Sequence, residues 1–402
     1  MTKRVSAFSL SLGLLVVLGS LFSANPTSAT VNANDWQAGN IIDDTLFYDG
    51  NAMSVTEIQS FLNSLVPVCD TWGAQPHETI PGKTRAQVGT EYSNPPPYIC
   101  VKDYYENPTT KETNFNPTAS VPTGAVSAAQ IIYNAAQEFK INPKALLVTI
   151  KKEAANNLLE DSWPWKGQYR TALGYGCPDT AACDSQYYGF YNQVRNAARQ
   201  FRLYADYPEQ YRRKAGAVHS IQYHPFNNCE SPSVYLQNKA TAGLYNYTPY
   251  QPNQAALTNM PGAGDSCSSY GNRNFWYIWN KWFGRTTGYR VKGLIGERYN
   301  LLGGESGGMG LPTGPEIKRP GEIYWQDFEN GVIIGRYDTG FWENKGLIRK
   351  RWGELGYQGG KMGLPTGPEI NSSSDVGVIY QHYQHGTIFA DTTTDSVSEV
   401  MN

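Results

Sequence analysis

One glutamate in this chain stands where a carboxylate can hold a proton for catalysis. In the segment NPKALLVTIKKEA, which begins at Asn142, a helical wheel gathers Leu146, Leu147, Ile150 and Ala154 into a buried stripe. Glu153 follows Ile150 by three residues and Leu146 by seven, so it falls on the rim of that stripe. Partial desolvation disfavours the charged form and raises a carboxyl pKa. A glycosidase acid needs that property to protonate a glycosidic oxygen. The same spacing also suits a surface glutamate paired with a neighbouring lysine, and pattern alone favours that plainer reading. Lys151 and Lys152 are expected to be solvated.

A second carboxylate would decide the mechanism. Two-carboxylate glycosidases hold the groups roughly 5–5.5 or 6.5–9.5 Å apart, by stereochemical class. Asp179 and Asp184 lie in the loop expected to border a groove. Each also fits turn chemistry: Pro178-Asp179 is a common turn pair, and Asp184 can cap the segment after it. Other constellations are poor. His219 and His224 are five residues apart, which does not put them on one helical face. His382 and His385 fall in a strand or turn and are expected to face solvent. There is no phosphate-binding loop, dinucleotide fingerprint or nucleophile elbow.

Helices must position these groups. Asn142 and Pro143 are the N-cap and first-turn proline of the Glu153 helix. An earlier helix opens at Ser127 and Gln130 and buries Ile131, Ala135 and Phe139. A later one, about Phe190 to Ala205, shows Val194, Ala197, Ala198 and Phe201 on one face. NRNFWYIWNKWFG forms a last helix ended by Gly284. Upstream, Ser54 and Glu57 make a capping box for a helix lined by Ile58, Phe61, Leu62 and Leu65. The stretch Asn107–Gly124 is rich in Pro, Thr and Asn and reads as a linker.

Composition sets the compartment. Lys3 and Arg4, an apolar run from Phe8 to Phe22 and the small residues Thr27-Ser28-Ala29 follow the layout of a secretory signal peptide, assigned to residues 1–29. No later stretch is long enough to span a membrane. The six cysteines suit disulfides in an exported chain. Pairing in chain order (Cys69–Cys100, Cys177–Cys183, Cys229–Cys267) fits local spacing, among the many connectivities six allow. A net charge of −2 with 17% charged residues gives no electrostatic footprint for nucleic acid. The 28 Tyr and 10 Trp suit stacking on neutral sugars as well as core packing.

The C-terminal part is a duplication. GMGLPTGPEI at Gly308–Ile317 returns as KMGLPTGPEI at Lys361–Ile370, nine of ten residues identical, with matching flanks. Each unit closes in a hairpin around Asn330-Gly331 or His385-Gly386. The tail after Asp391 reads as disordered. Trp325, Trp342, Trp352 and Tyr380 serve either as sugar platforms or as the repeat core.

Residues 126–284 resemble the lysozyme-like superfamily of lytic transglycosylases and bacterial glucosaminidases. Asn142-Pro143 and Leu146-Leu147 leading to Glu153, then GFYNQV at Gly189–Val194, then LYNYTPY at Leu244–Tyr250 carry the likeness, in the family's order. The Cys177–Cys183 segment departs from it as an insertion. The resemblance implies Glu153 as the acid, with Gln193, Tyr188, Asp184 and either Tyr245 or Tyr247 along the sugar groove, and no metal or organic cofactor. The units containing Met309–Glu316 and Met362–Glu369 resemble LGFP repeats of actinobacterial envelope proteins, which implies attachment to wall polysaccharide.

The expected architecture is therefore multi-domain: a small disulfide-tied N-terminal module (35–115), a mainly α lysozyme-like domain (126–284) and a β-rich repeat pair (288–390). The expected function is a secreted, wall-associated enzyme. It cleaves the β-1,4 bond between N-acetylmuramic acid and N-acetylglucosamine in peptidoglycan, as a lytic transglycosylase or muramidase; a glucosaminidase cutting the other bond is close behind. The rival from another class is a non-catalytic wall-glycan-binding protein or adhesin.

Overall fold

The structure is a computed structural model that describes residues 31–153, 157–178, 181–225, 228–289 and 291–402. The expected leader, Ala154 and Asp179 lie outside the described residues.

The first part of the chain supplies α1 (Asp44–Phe47), α2 (Val55–Leu65), α3 (Arg85–Glu91) and strand β1 (Tyr105–Glu106), which pairs antiparallel with β2 (Val126–Ser127). The α2 capping box forms: the Ser54 hydroxyl accepts from the Glu57 amide at 3.2 Å, and the Glu57 carboxylate accepts from the Ser54 amide at 2.7 Å. Next come α4 (Ala128–Phe139), α5 (Pro143–Glu153), the short α6 (Lys166–Arg170) and the long α7 (Phe190–Asp206). A ribbon of β3 (Ala217–Ser220) and β4 (Ser233–Leu236) leads to α8 (Lys239–Tyr247), α9 (Gln254–Thr258) and α10 (Gly271–Phe283). Gly284 ends α10 with φ +78°.

The N-terminal segment is not a separate module. Ile41, Phe47, Ile58, Leu62 and Tyr104 share one core with Ile131, Leu146, Ile150, Phe201, Phe275 and Trp279. Burial of each such side chain is worth roughly 1.5–3 kcal/mol, so the two spans stabilise each other. Polar contacts repeat the point. Asn142 caps α5 through Oδ1, which accepts from the Lys144 amide at 2.8 Å, while its Nδ2 donates to Leu46 O at 2.7 Å. Glu106, almost wholly buried, accepts from the Tyr191 amide at 3.1 Å at the start of α7. Gly189 just before that helix has φ +100°, and a Cβ there would lie 2.8 Å from Glu106 Oε1, so only glycine fits.

The stretch expected as a linker is likewise built in. Asn107 Oδ1 accepts from the Thr109 and Thr110 amides, Nδ2 donates to Thr123 O, and Phe115 packs against Tyr104 and Tyr169. All three disulfides form in chain order: Cys69–Cys100, Cys177–Cys183 and Cys229–Cys267.

The repeats form a stack. Helix α11 (Gly293–Leu301) precedes an antiparallel sheet of β5 (Ile317–Arg319), β6 (Ile323–Phe328), β7 (Gly331–Arg336) and β8 (Gly340–Lys345); α12 (Gly346–Glu354) precedes a second sheet of β9 (Ile370–Asn371), β10 (Val378–Tyr383), β11 (Gly386–Asp391) and β12 (Ser396–Met401). Successive side chains of β7 point to opposite faces. Ile333 therefore packs with Ile295 and Tyr299 of α11, and Val332 and Ile334 pack with Ile348 and Trp352 of α12. The same α12 cluster takes in Ile388 and Ala390 of β11, so one helix sits between two sheets. A buried polar lock joins the units: Asn344 Nδ2 donates to Gln381 Oε1 at 2.7 Å and to the Tyr383 hydroxyl, while Gln381 Nε2 donates to Glu343 O at 2.7 Å. The two units thus dock on each other. Within the shared motif Gly310 and Gly363 take positive φ (+69° and +72°), whereas Gly314 and Gly367 do not.

The tail expected to be disordered is strand β12, hydrogen-bonded along β11 from Ser396 to Met401, so the second unit runs past residue 390. Its anchor is Glu399, which accepts from Arg351 Nε at 2.9 Å and Lys361 Nζ at 3.0 Å. Hydrogen bonds from these two cations hold the Glu399 carboxyl at about 2, below its ordinary 4.5. A depressed folded-state pKa contributes stability above the unfolded value and loses it as pH falls through the folded value. Protection of β12 amides from hydrogen exchange, corrected for intrinsic rates, is therefore expected to decline from pH 4.5 toward 2. Glu399→Gln should lower that protection already at pH 6; unchanged protection in the variant would contradict this anchoring.

Candidate functional site

Helix α5 runs into the core through Leu146, Leu147 and Ile150, each fully buried, and carries Glu153 beyond them. The Glu153 side chain is 28% exposed, at the lip of the core and within reach of solvent. Two residues before the lip were expected in water and are not. Lys152 has a side chain only 1% exposed. Its ammonium forms an ion pair with Glu153, donates to Thr248 Oγ1 at 3.0 Å and lies 5.4 Å from the Tyr247 ring centroid. Lys151 pairs with Glu160 at 2.7 Å and also donates to Asn157 Oδ1. Lys151 is held by Asn157 and Glu160, and Lys152 by Glu153 and Thr248, because an ammonium needs acceptors once its stem is buried.

The structure places Tyr245 and Tyr247 differently. Tyr245 is fully buried on the far face of α8, its hydroxyl donating to Ala38 O at 3.1 Å, so it is removed as a groove residue. Tyr247 faces the Glu153 end. Its ring stacks on Phe201 at 4.7 Å, its hydroxyl donates to Leu173 O at 2.7 Å, and burial, reinforced by the Glu153 carboxylate, pushes its pKa well up. Tyr247 is thus a neutral phenol near the Glu153 carboxylate.

Gln193 also changes role. It is fully buried. Its Oε1 accepts from the Leu173 amide at 3.1 Å and the Tyr175 amide at 3.0 Å. Its Nε2 donates to Tyr175 O and Tyr187 O, both at 2.9 Å. An amide offers two donors and two acceptor lone pairs, so no capacity remains for a sugar. Gln193 clamps the loop that carries Cys177–Cys183. Asp184 is exposed and its Oδ1 accepts from the Gln186 amide at 3.0 Å, as the N-cap of a short turn. This is the capping role that the sequence also offered. Tyr188 donates to Cys183 O at 3.3 Å beneath the Arg170 guanidinium and lines a separate hollow with Glu106, Phe115 and Lys166.

In the repeats the candidate platforms divide. Trp352 is core, 1% exposed, with its indole donating to Gly363 O. Trp342 donates to Thr339 O under the Arg298 guanidinium. Trp325, with Arg319 above its ring, lines a hollow of about 440 Å³ between the units together with Asp327, Arg349 and Tyr357. Tyr380 lies on the second sheet near Phe389 and His382. His382 and His385 are exposed. Among the described residues no group of three or more His, Cys, Asp or Glu side chains could hold a metal ion, and no helix is long and apolar enough to cross a membrane.

The C-terminal stack is a pair of β-rich units, each opened by a helix. The family model of the LGFP repeat matches residues 309–360, from the first shared motif to the turn before the second. No curated protein matches the chain. The plainer sequence reading, a glutamate paired with a neighbouring lysine, matches the Lys152–Glu153 pair. Sequence reasoning missed the burial of Lys152 and its bond to Thr248, which lies 96 residues away.

Proposed function

We propose that the protein is an exported peptidoglycan-cleaving enzyme of lysozyme-like type, with Glu153 as its general acid and the LGFP pair as its attachment to the wall. The observation that carries this reading is the placement of Glu153: on α5 three residues beyond the buried Ile150, with a partly exposed carboxylate and the neutral Tyr247 phenol behind it. Glu153 would donate its proton to the leaving glycosidic oxygen. With Asp184 acting as a cap, the route that needs one carboxylate is favoured. In it the substrate's N-acetyl group assists. The deprotonated Glu153 then takes the proton of the muramyl 6-hydroxyl as a 1,6-anhydro ring closes, as the family resemblance implies. Purified peptidoglycan incubated with the full chain should release soluble glycan fragments.

A second reading is favoured by one observation. The Lys152–Glu153 ion pair occupies the carboxylate in the resting chain, as befits a glycan clamp without chemistry. Sacculi that retain the protein but release nothing would leave that reading in place.

The repeat pair makes its own prediction. Trp325→Ala with Tyr357→Ala, in the hollow between the units, is expected to reduce retention on wall material carrying its polysaccharide by about tenfold or more, an effect of about 1.4 kcal/mol. Release of fragments from soluble glycan should stay near the wild-type rate. Unchanged retention in a pull-down would move the attachment surface elsewhere.

A further inference from the structure

Beside the turn that follows α5 lies a hollow of about 400 Å³ lined by Glu78, Arg85, Glu160, Asp161, Trp163 and Trp165, among others. Its walls come from two distant parts of the chain, residues 78–85 and 157–168. They are fastened together: the Asp70 amide donates to Ser162 O at 2.7 Å, and Arg85 Nη1 donates to Ser162 Oγ at 2.9 Å. Asn157, also on the lining, follows Glu153 by four residues, which limits their separation to about 14 Å.

The aromatic wall is braced from behind. Trp163 and Trp165 stand edge to face at 5.9 Å. Trp163 is wedged against Tyr98 and His77, and its indole N–H donates to Glu78 at 3.3 Å. Trp165 rests against Tyr92 in a stacked arrangement at 6.0 Å. The polar wall is fixed as well. Asp161 accepts from the Trp163 amide at 2.9 Å and from Gln168 at 3.1 Å, and Glu160 is held by Lys151. Arg85 reaches Glu78 at 2.5 Å, while its buried Nε has no hydrogen-bond partner. Each carboxylate keeps lone pairs beyond those engaged.

Flat indoles beside fixed acceptors suit a ligand with an apolar ring face and several O–H or N–H donors, which is the surface of a hexopyranose. Charge narrows the class. Three lining carboxylates meet the Arg85 guanidinium and the Lys151 ammonium on Glu160, and the remaining negative charge disfavours a ring that carries its own carboxylate. We infer that this hollow is a glycan subsite for a neutral N-acetylhexosamine, with Trp165 as its stacking platform, and that the N-terminal segment is in the fold to build one wall of it. The inference rests on the proposed glycan-cleaving role but extends it to a sugar and to residues 78–85.

The test uses the full-length chain carrying Glu153→Gln, titrated with the soluble tetramer of N-acetylglucosamine and followed by tryptophan fluorescence and calorimetry. Adding Trp165→Ala should raise Kd at least tenfold, and Trp165→Phe, which keeps a ring, should restore most of the affinity. Equal Kd values for all three proteins, or no binding by the Glu153→Gln chain, would overturn the subsite. Because binding is read without the acid, the two claims separate. Trp165-dependent binding in a protein that releases no fragments would remove only the enzyme. Fragment release by the wild-type chain with Trp165-independent binding would remove only the subsite.

Discussion

Glu153→Gln is expected to lower the initial rate of fragment release from purified peptidoglycan by roughly 10³–10⁴-fold, with binding to sacculi retained. Glutamine keeps the shape of the side chain and a hydrogen-bond acceptor for Lys152, but it has no proton to give. General acid catalysis contributes typically 10²–10⁴-fold, and in a one-carboxylate route the same group serves both steps, so the loss should sit at the upper end. Glutamine removes the charge opposite the buried Lys152 ammonium, so some loss of melting temperature is expected, and rates are compared at a temperature where both proteins are folded. A variant that is folded at the assay temperature and keeps activity within tenfold of wild type would show that Glu153 is not the acid.

Gln193→Leu should have the largest effect on stability. The substitution removes the partner of two amides and two carbonyls in the loop between α6 and α7, at a fully buried site. An unsatisfied buried group costs about 1–3 kcal/mol; with some relaxation of the loop, a loss of about 3–5 kcal/mol follows. The melting temperature should then drop by roughly 10 °C or more. A sugar-contacting Gln193 would behave differently, raising KM while leaving thermal stability near wild type. Differential scanning calorimetry with kinetics on the same variant separates the two.

The local signals were legible. Ser54 with Glu57, Asn142 with Pro143 and Gly284 mark helix ends through hydrogen bonds made within a few residues, so their meaning is carried in short windows. The apolar line of α5 placed Glu153 on the rim for the same reason, and the repeat was visible as near-identity. What escaped is long-range. Asn142 Nδ2 finds Leu46 O across 96 residues, and Tyr245 finds Ala38 O across 207. No local pattern announces that the N-terminal segment completes the core. Gln193 shows the same blindness on a smaller scale, because an amide that binds sugar and one that binds backbone have the same letter and the same spacing. Strand β12 was missed because its polar, Ser-rich sequence becomes a strand only against β11 and the Arg351–Glu399 pair.

The most direct test of the account is mass spectrometry of the soluble products when wild-type protein and Glu153→Gln act on purified peptidoglycan. The account predicts muropeptides ending in 1,6-anhydro-N-acetylmuramic acid from the wild type and none from the variant. Equal products from both proteins, or none from the wild type while it stays bound to the sacculi, would contradict it.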